Sequence, residues 1–337
     1  MAPSEHFPSI PDETFFSWLH RQSIFSETFQ YPLYMLLDDF ERCSRSESFD
    51  RDFDFGSAFA KVALSRLSLH VDDCTALFWT SAWLLPQYNR QAFCWECLRE
   101  HIRTVYYPCY LISWCNVVRT HCSIHSSLLR EHPRSDQLSL NLGLGAFMDY
   151  CANKGQYERD ELHKIFSSKP IAGYCLRMAS QMEIESHEHN AQNLSTRKTY
   201  KLLMQIMLFP SYGIINTILK RKRQVQRTSN IWQSLAYAPI CSSTTDRALA
   251  LLLVGIASRF FNSSEVFEII NVLVGSQYLD VRFHDQKTLG SACNVFDYET
   301  ANEISMAIYC LCLDKTGANI EEFLAGFMGR SKRRQEK

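Results

Sequence analysis

Four residues in one stretch of the chain carry donor chemistry at ligand spacing. Cys94 and Cys97 form a Cys-x-x-Cys pair, and Cys122 and His125 form a Cys-x-x-His pair. Each pair offers two soft or borderline donors from one tight turn. Together they make the four-donor set that a tetrahedral zinc ion takes at about 2.0–2.3 Å. The gap between the pairs is long for a zinc finger and ordinary for a zinc ribbon or knuckle. A fully ligated ion has no open coordination position, so the set predicts a closed, structural Zn2+ site and no catalysis at the metal. Spare donors lie nearby: His101, Cys109, Cys115, His121 and His132. His121 precedes Cys122 and is expected to point away, and Cys115 beside Trp114 reads as core. His187 and His189 lack a neighbouring cysteine pair and read as polar surface.

Other chemistry finds little support. There is no G-x-x-x-x-G-K phosphate loop, and Gly143 and Gly145 lack the rest of a dinucleotide fingerprint. G-x-S-x-G and H-E-x-x-H are absent. The acidic pairs Asp38-Asp39 and Asp72-Asp73 suit helix ends, and nothing marks them as a catalytic dyad. The expectation is a protein that is not an enzyme.

One run of charge stands out. Lys220, Arg221, Lys222 and Arg223, joined by Arg227, follow a helix that begins near Ile214. Cations there complement the negative end of a helix dipole. Four in succession exceed what capping needs, and contact with phosphate or an acidic partner is the competing reading. Over all 337 residues the net charge is only −1, so no global field draws the chain onto nucleic acid.

The elements that must position these residues are mainly helical. Pro11, Asp12 and Glu13 suit the first turn of a helix carrying Phe15, Trp18 and Leu19 on one face. A second helical stretch runs to Phe40 after a break near Pro32. Residues 43–55 read as a polar loop. Ser57–Leu69 and Thr75–Leu85 read as further helices. This predicts a helix-turn-helix-like N-terminal unit over residues 1–88. Residues 89–132 form a zinc-ribbon or knuckle module, with short strands or an irregular packed loop between Tyr106 and Val117. Residues 133–337 form a C-terminal helical bundle, with a loop at Pro239–Thr245 and a short strand at Asp280–Phe283. The apolar run Ala248–Ala257 is too short to span a bilayer. The opening MAPSEHFPSIPDE has no apolar signal region, and 13 cysteines in a reducing compartment are thiols or metal ligands. A cytoplasmic protein with no membrane contact is expected.

Two of these stretches together resemble the TniQ/TnsD proteins of heteromeric transposons. The opening PDETFFSWLHR is similar to that family's P-x-E-[ST]-x-x-S-[WY]-[LI]-x-R start. Cys94, Cys97, Leu98, Tyr106/Tyr107, Trp114, Cys122, His125 and Leu128/Leu129 follow the order and spacing of its central zinc motif. The likeness covers roughly the first 130 residues. Departures are Trp95 where the family often has Pro, Ser123-Ile124 inside the second pair, and Ser126 where Gly often follows the His. None removes a ligand. The resemblance implies a non-catalytic bacterial targeting factor. Short members act as homodimers docked on an RNA-guided Cascade ribonucleoprotein in CRISPR-associated transposons, and pass the signal to a TnsC-like AAA+ ATPase. The neutral charge and length favour that adaptor type, with DNA or RNA backbone contacts left to local patches. A TnsD-like sequence-specific DNA selector is the alternative within the family. A zinc-stapled regulator unrelated to transposition is the alternative outside it.

Overall fold

The computed structural model describes residues 10–25, 31–46, 48–69, 83–132, 142–187, 191–210, 213–221, 230–312 and 320–335. It is mainly helical, with one two-stranded sheet among the described residues. The chain divides into two compact units, Met1–Asn116 with Leu129–Arg159, and Val117–Leu128 with Asp160–Lys337. Backbone hydrogen bonds join the opening segment to residues 110–112, and so tie the N-terminal helices to the stretch after Cys94.

In the first unit, α1 (Phe15–Phe25), α2 (Leu33–Ser46) and α3 (Ala58–Arg66) enclose an aromatic core of Phe15, Phe16, Trp18, Tyr31, Phe40 and Phe59. Each such side chain contributes on the order of 2–3 kcal/mol by leaving water. The polar loop expected from Cys43 begins later, because α2 continues to Ser46. On its outer face Arg45 pairs with Glu41 at i,i+4, which supports a solvated helix, while Arg42 reaches back to the buried Asp39 at i,i+3. The helix expected over Thr75–Leu85 falls mostly outside the described residues. Its last residues are not helical, and Leu84 forms an antiparallel bridge with Asn116. β1 (Ala92–Phe93) leads into α4 (Trp95–Val105), and β1 pairs antiparallel with β2 (Arg130–Glu131). Residues 106–117 are irregular apart from a 3-10 turn at Ile112–Cys115, matching the packed-loop expectation. α5 (Leu142–Glu158) closes this unit.

The second unit is a helical assembly. It contains α6 (Glu161–Phe166), α7 (Lys169–His187), α8 (Ala191–Met207), α9 (Ile214–Ile218), α10 (Ile231–Cys241) and α11 (Thr244–Ala257). α12 (Ser263–Val274), α13 (Gln286–Cys293), α14 (Tyr298–Cys312) and α15 (Glu321–Gln335) complete it. α11 holds the apolar run and is buried on every side, packed by α7 and α8. It starts on a capping box between Ser243 and Asp246. No single helix among the described residues is long and apolar enough to cross a membrane. Two expectations change here. α10 runs through Pro239 to Cys241, so the loop begins at Ser242. Proline this close to a helix end forfeits one i to i−4 bond and no more of the ladder. Asp280–Phe283 is not a strand, and the Asp280 N–H bonds the Ile218 carbonyl (2.7 Å) as an isolated link.

Candidate metal centre

The first ligand pair stands at a helix start. Cys94 is the extended N-cap residue of α4, with φ −103° and ψ 118°, and Cys97 lies in the helix's first turn. A Cys-x-x-Cys spacing across a cap brings both sulfurs to the N-terminal end, where the helix dipole favours thiolate over thiol. The ligand spacing alone does not announce this helix. Trp95, in the first helical position, stacks on Tyr150 with centroids 3.9 Å apart. This contact anchors the turn that carries the first ligand pair.

The second pair sits in a knuckle. His121 and Leu128 form an antiparallel bridge, and Cys122 to Ser127 make the turn between them. The Cys122 N–H bonds the Ser127 carbonyl at 2.9 Å, and the Ser126 N–H bonds the Cys122 carbonyl at 2.8 Å. Ser126 has φ 54°, the left-handed conformation that glycine adopts without strain. The His125 N–H points at the Cys122 sulfur (3.4 Å), and the ring Nδ1 lies 3.5 Å from it.

The donor atoms of Cys94, Cys97, Cys122 and His125 all lie within 4.8 Å of one another. The three cysteines are buried and the histidine is exposed. Three sulfurs and one imidazole nitrogen suit a single tetrahedral, thiophilic ion, and a backbone N–H aimed at sulfur favours the thiolate form. The Cys94 thiol donates to the Glu96 carboxylate at 3.3 Å, a proton that metal binding would release.

The spare donors are placed elsewhere. Burial pushes the thiols of Cys109 and Cys115 far above the usual range, so both stay protonated core residues. His101 is buried, hydrogen-bonded to the Cys109 backbone, and burial lowers its pKa. His132 packs against Phe93. His121 turns away from the cluster, as expected, and its Nε2 donates to the Phe166 carbonyl at 2.9 Å. Burial holds its ring neutral, with a pKa of about 4. The side chains of His187 and His189 lie outside the described residues.

The basic run is only partly described. The Lys220 Nζ donates to the Gln277 carbonyl (2.6 Å), and Arg221 pairs with Asp246 (2.7 Å). Both charges are engaged within the second unit, Arg221 on the residue that boxes the start of α11. Lys222, Arg223 and Arg227 lie outside the described residues.

Sequence reading missed why the opening segment carries Glu, Ser and Arg. Glu13 is fully buried and forms a two-pronged pair with Arg21, Oε2 to Nη2 at 2.8 Å and Oε1 to Nε at 3.3 Å. The Ser17 hydroxyl donates to Glu13 Oε1 (3.2 Å) and accepts from the Tyr110 N–H (3.0 Å). The Thr14 N–H bonds the Tyr110 carbonyl (2.9 Å), and the Tyr110 hydroxyl donates to the Ala92 carbonyl (2.8 Å). Tyr110 also packs edge-on against the buried Trp114. The signal was present as Glu, Ser and Arg at four-residue steps, one stripe of a helix. Its partner, Tyr110, lies too far along the chain for periodicity to find. No protein-family model, no curated protein and no solved structure matches this chain.

Proposed function

We propose that the chain is a non-catalytic target-selection factor of the TniQ type, held together by one structural zinc ion. In this reading it acts as a homodimeric adaptor on an RNA-guided Cascade complex and recruits a TnsC-like AAA+ ATPase to the target. One observation carries the proposal. The opening motif and the metal stretch, the two parts that resemble the family, are bonded into one structural element. Thr14 and Ser17 hold the Tyr110 backbone, with Ser17 braced on Glu13, and the Tyr110 hydroxyl bonds the carbonyl of Ala92, two residues before Cys94.

Zinc in this role supplies folding free energy, on the order of 10 kcal/mol for a site of four protein ligands. Cys94, Cys97, Cys122 and His125 would hold it and leave no position for substrate. Recognition then belongs to the surfaces around the site. Copurification with a co-expressed Cascade complex tests the reading directly, with the stoichiometry measured on a sizing column. Absence of any complex, together with nanomolar, salt-dependent binding of the isolated protein to one duplex sequence, would move the assignment to a TnsD-like DNA selector. Failure of both would leave a zinc-stapled regulator outside transposition.

A further inference from the structure

The turn that carries Cys122 and His125 is gripped at its far end by polar groups that are not ligands. Leu128, which closes the knuckle by bridging His121, has both backbone groups satisfied at the C-terminal end of α6. Its N–H donates to Ser167 Oγ at 3.0 Å, and its carbonyl accepts from His163 Nε2 at 2.9 Å. His163 Nδ1 and Ser167 Oγ stand 3.5 Å apart. A carbonyl only accepts, so Nε2 carries a proton, and in the tautomer protonated there Nδ1 accepts from the Ser167 hydroxyl. The four groups close a ring: Leu128 N–H to Ser167, Ser167 O–H to His163, His163 N–H to the Leu128 carbonyl. On the opposite strand of the bridge, the His121 Nε2–H donates to the Phe166 carbonyl at 2.9 Å, and its Nδ1 meets Thr120 Oγ1 at 2.9 Å. Both arms of the knuckle are thus held by residues 163–167.

We infer that His163 and Ser167 are positioning residues for the metal: through Leu128 they fix the turn that presents Cys122 and His125. The physical reason lies in the turn's own weakness. It is short, includes a strained serine at φ 54°, and has an exposed histidine as its last ligand. Such a turn samples many conformations unless its ends are held, and each non-productive conformation lowers metal affinity. Groups that orient ligands without touching the ion commonly account for about 10- to 100-fold in affinity. The inference rests on the metal reading above and adds residues that no ligand-spacing argument identifies.

The test uses the full chain, purified without metal, and titrates Zn2+ against a chromophoric competing chelator. Co2+ absorption serves as a second readout of tetrahedral thiolate coordination. His163→Ala and Ser167→Ala are expected to weaken Zn2+ by about tenfold and to reduce the intensity of the Co2+ bands. His163→Gln keeps an N–H for the Leu128 carbonyl and is expected to recover most of the affinity. A purely structural clamp predicts equal losses of urea stability for metal-free and zinc-loaded protein, whereas the positioning role predicts the larger loss in the loaded form. Wild-type Zn2+ affinity in both alanine variants overturns the inference while leaving the metal reading intact. Should His163→Ala fail to fold, Ser167→Ala and His163→Gln decide. No Zn2+ binding by the wild-type chain overturns the metal reading, and this inference with it.

Discussion

Replacing Glu13 by Gln probes the joint between the opening motif and the metal stretch. The side chains of Glu13 and Arg21 are 0% and 3% exposed, so solvent screens neither charge. The carboxylate accepts from Arg21 at both oxygens, from the Ser17 hydroxyl at 3.2 Å and from the Ile10 N–H at 3.2 Å. Gln is nearly isosteric and keeps one accepting oxygen. Its amide N–H2 then faces a donor, and the buried guanidinium loses its counter-charge. Breaking a buried pair from one side costs about 3–5 kcal/mol, a large share of the roughly 5–15 kcal/mol that holds a typical domain folded. Urea unfolding followed by tryptophan fluorescence reads the first unit through Trp18 and Trp114. The midpoint of that transition is expected to drop by the corresponding amount. Glu13→Leu with Arg21→Met removes both charges and is expected to recover most of the loss, since an apolar pair carries no desolvation cost. A single-variant cost under about 1 kcal/mol, or a double variant no better than the single, would refute the argument that this pair locks the motif in place.

Four further outcomes are expected. Cys97→Ser loses the metal, read as zinc per chain by mass spectrometry, and leaves the region around α4 open to protease. Retention of one ion per chain would remove Cys97 from the site. His20 has a pKa of about 4, lowered by burial and then by the Arg51 charge, so the folded protein binds its proton more weakly than the unfolded chain at about 6.5. Its contribution, about 3 kcal/mol, is present above pH 6.5 and is lost as pH falls toward 4, and His20→Gln should flatten that part of the stability profile. Gly143→Ala is expected to destabilise by at least 1–3 kcal/mol, measured by urea unfolding, because a Cβ would lie 2.1 Å from the Pro108 carbonyl oxygen. Ser126→Gly relieves the left-handed serine of the knuckle and should raise thermal stability by up to about 1 kcal/mol, with no loss of bound metal.

The sequence by itself determined the helical class and the four donor residues. Helices announced themselves through apolar spacing, as at Phe15, Trp18 and Leu19, because a 3.6-residue period is a local property. The donors were legible because a metal needs particular atoms at short chain separations, and Cys94–Cys97 and Cys122–His125 supply them within single turns. Boundaries were less legible where local preference was overruled. α2 outlasted its polar composition through surface ion pairs, and α10 absorbed Pro239 in its last turn. Only the tertiary structure decided which polar residues matter to the site. Glu13 meets Arg21 nearby, but Ser17 meets Tyr110, and Leu128 meets His163 and Ser167, across separations that no periodicity reports. Gly143 likewise lacked the rest of a dinucleotide fingerprint, and the fold shows what it does instead: it allows the close approach of α5 to Pro108. Donor identity is written residue by residue along the chain. The partners that hold the donors still are chosen by packing, and packing brings together residues that the chain keeps far apart.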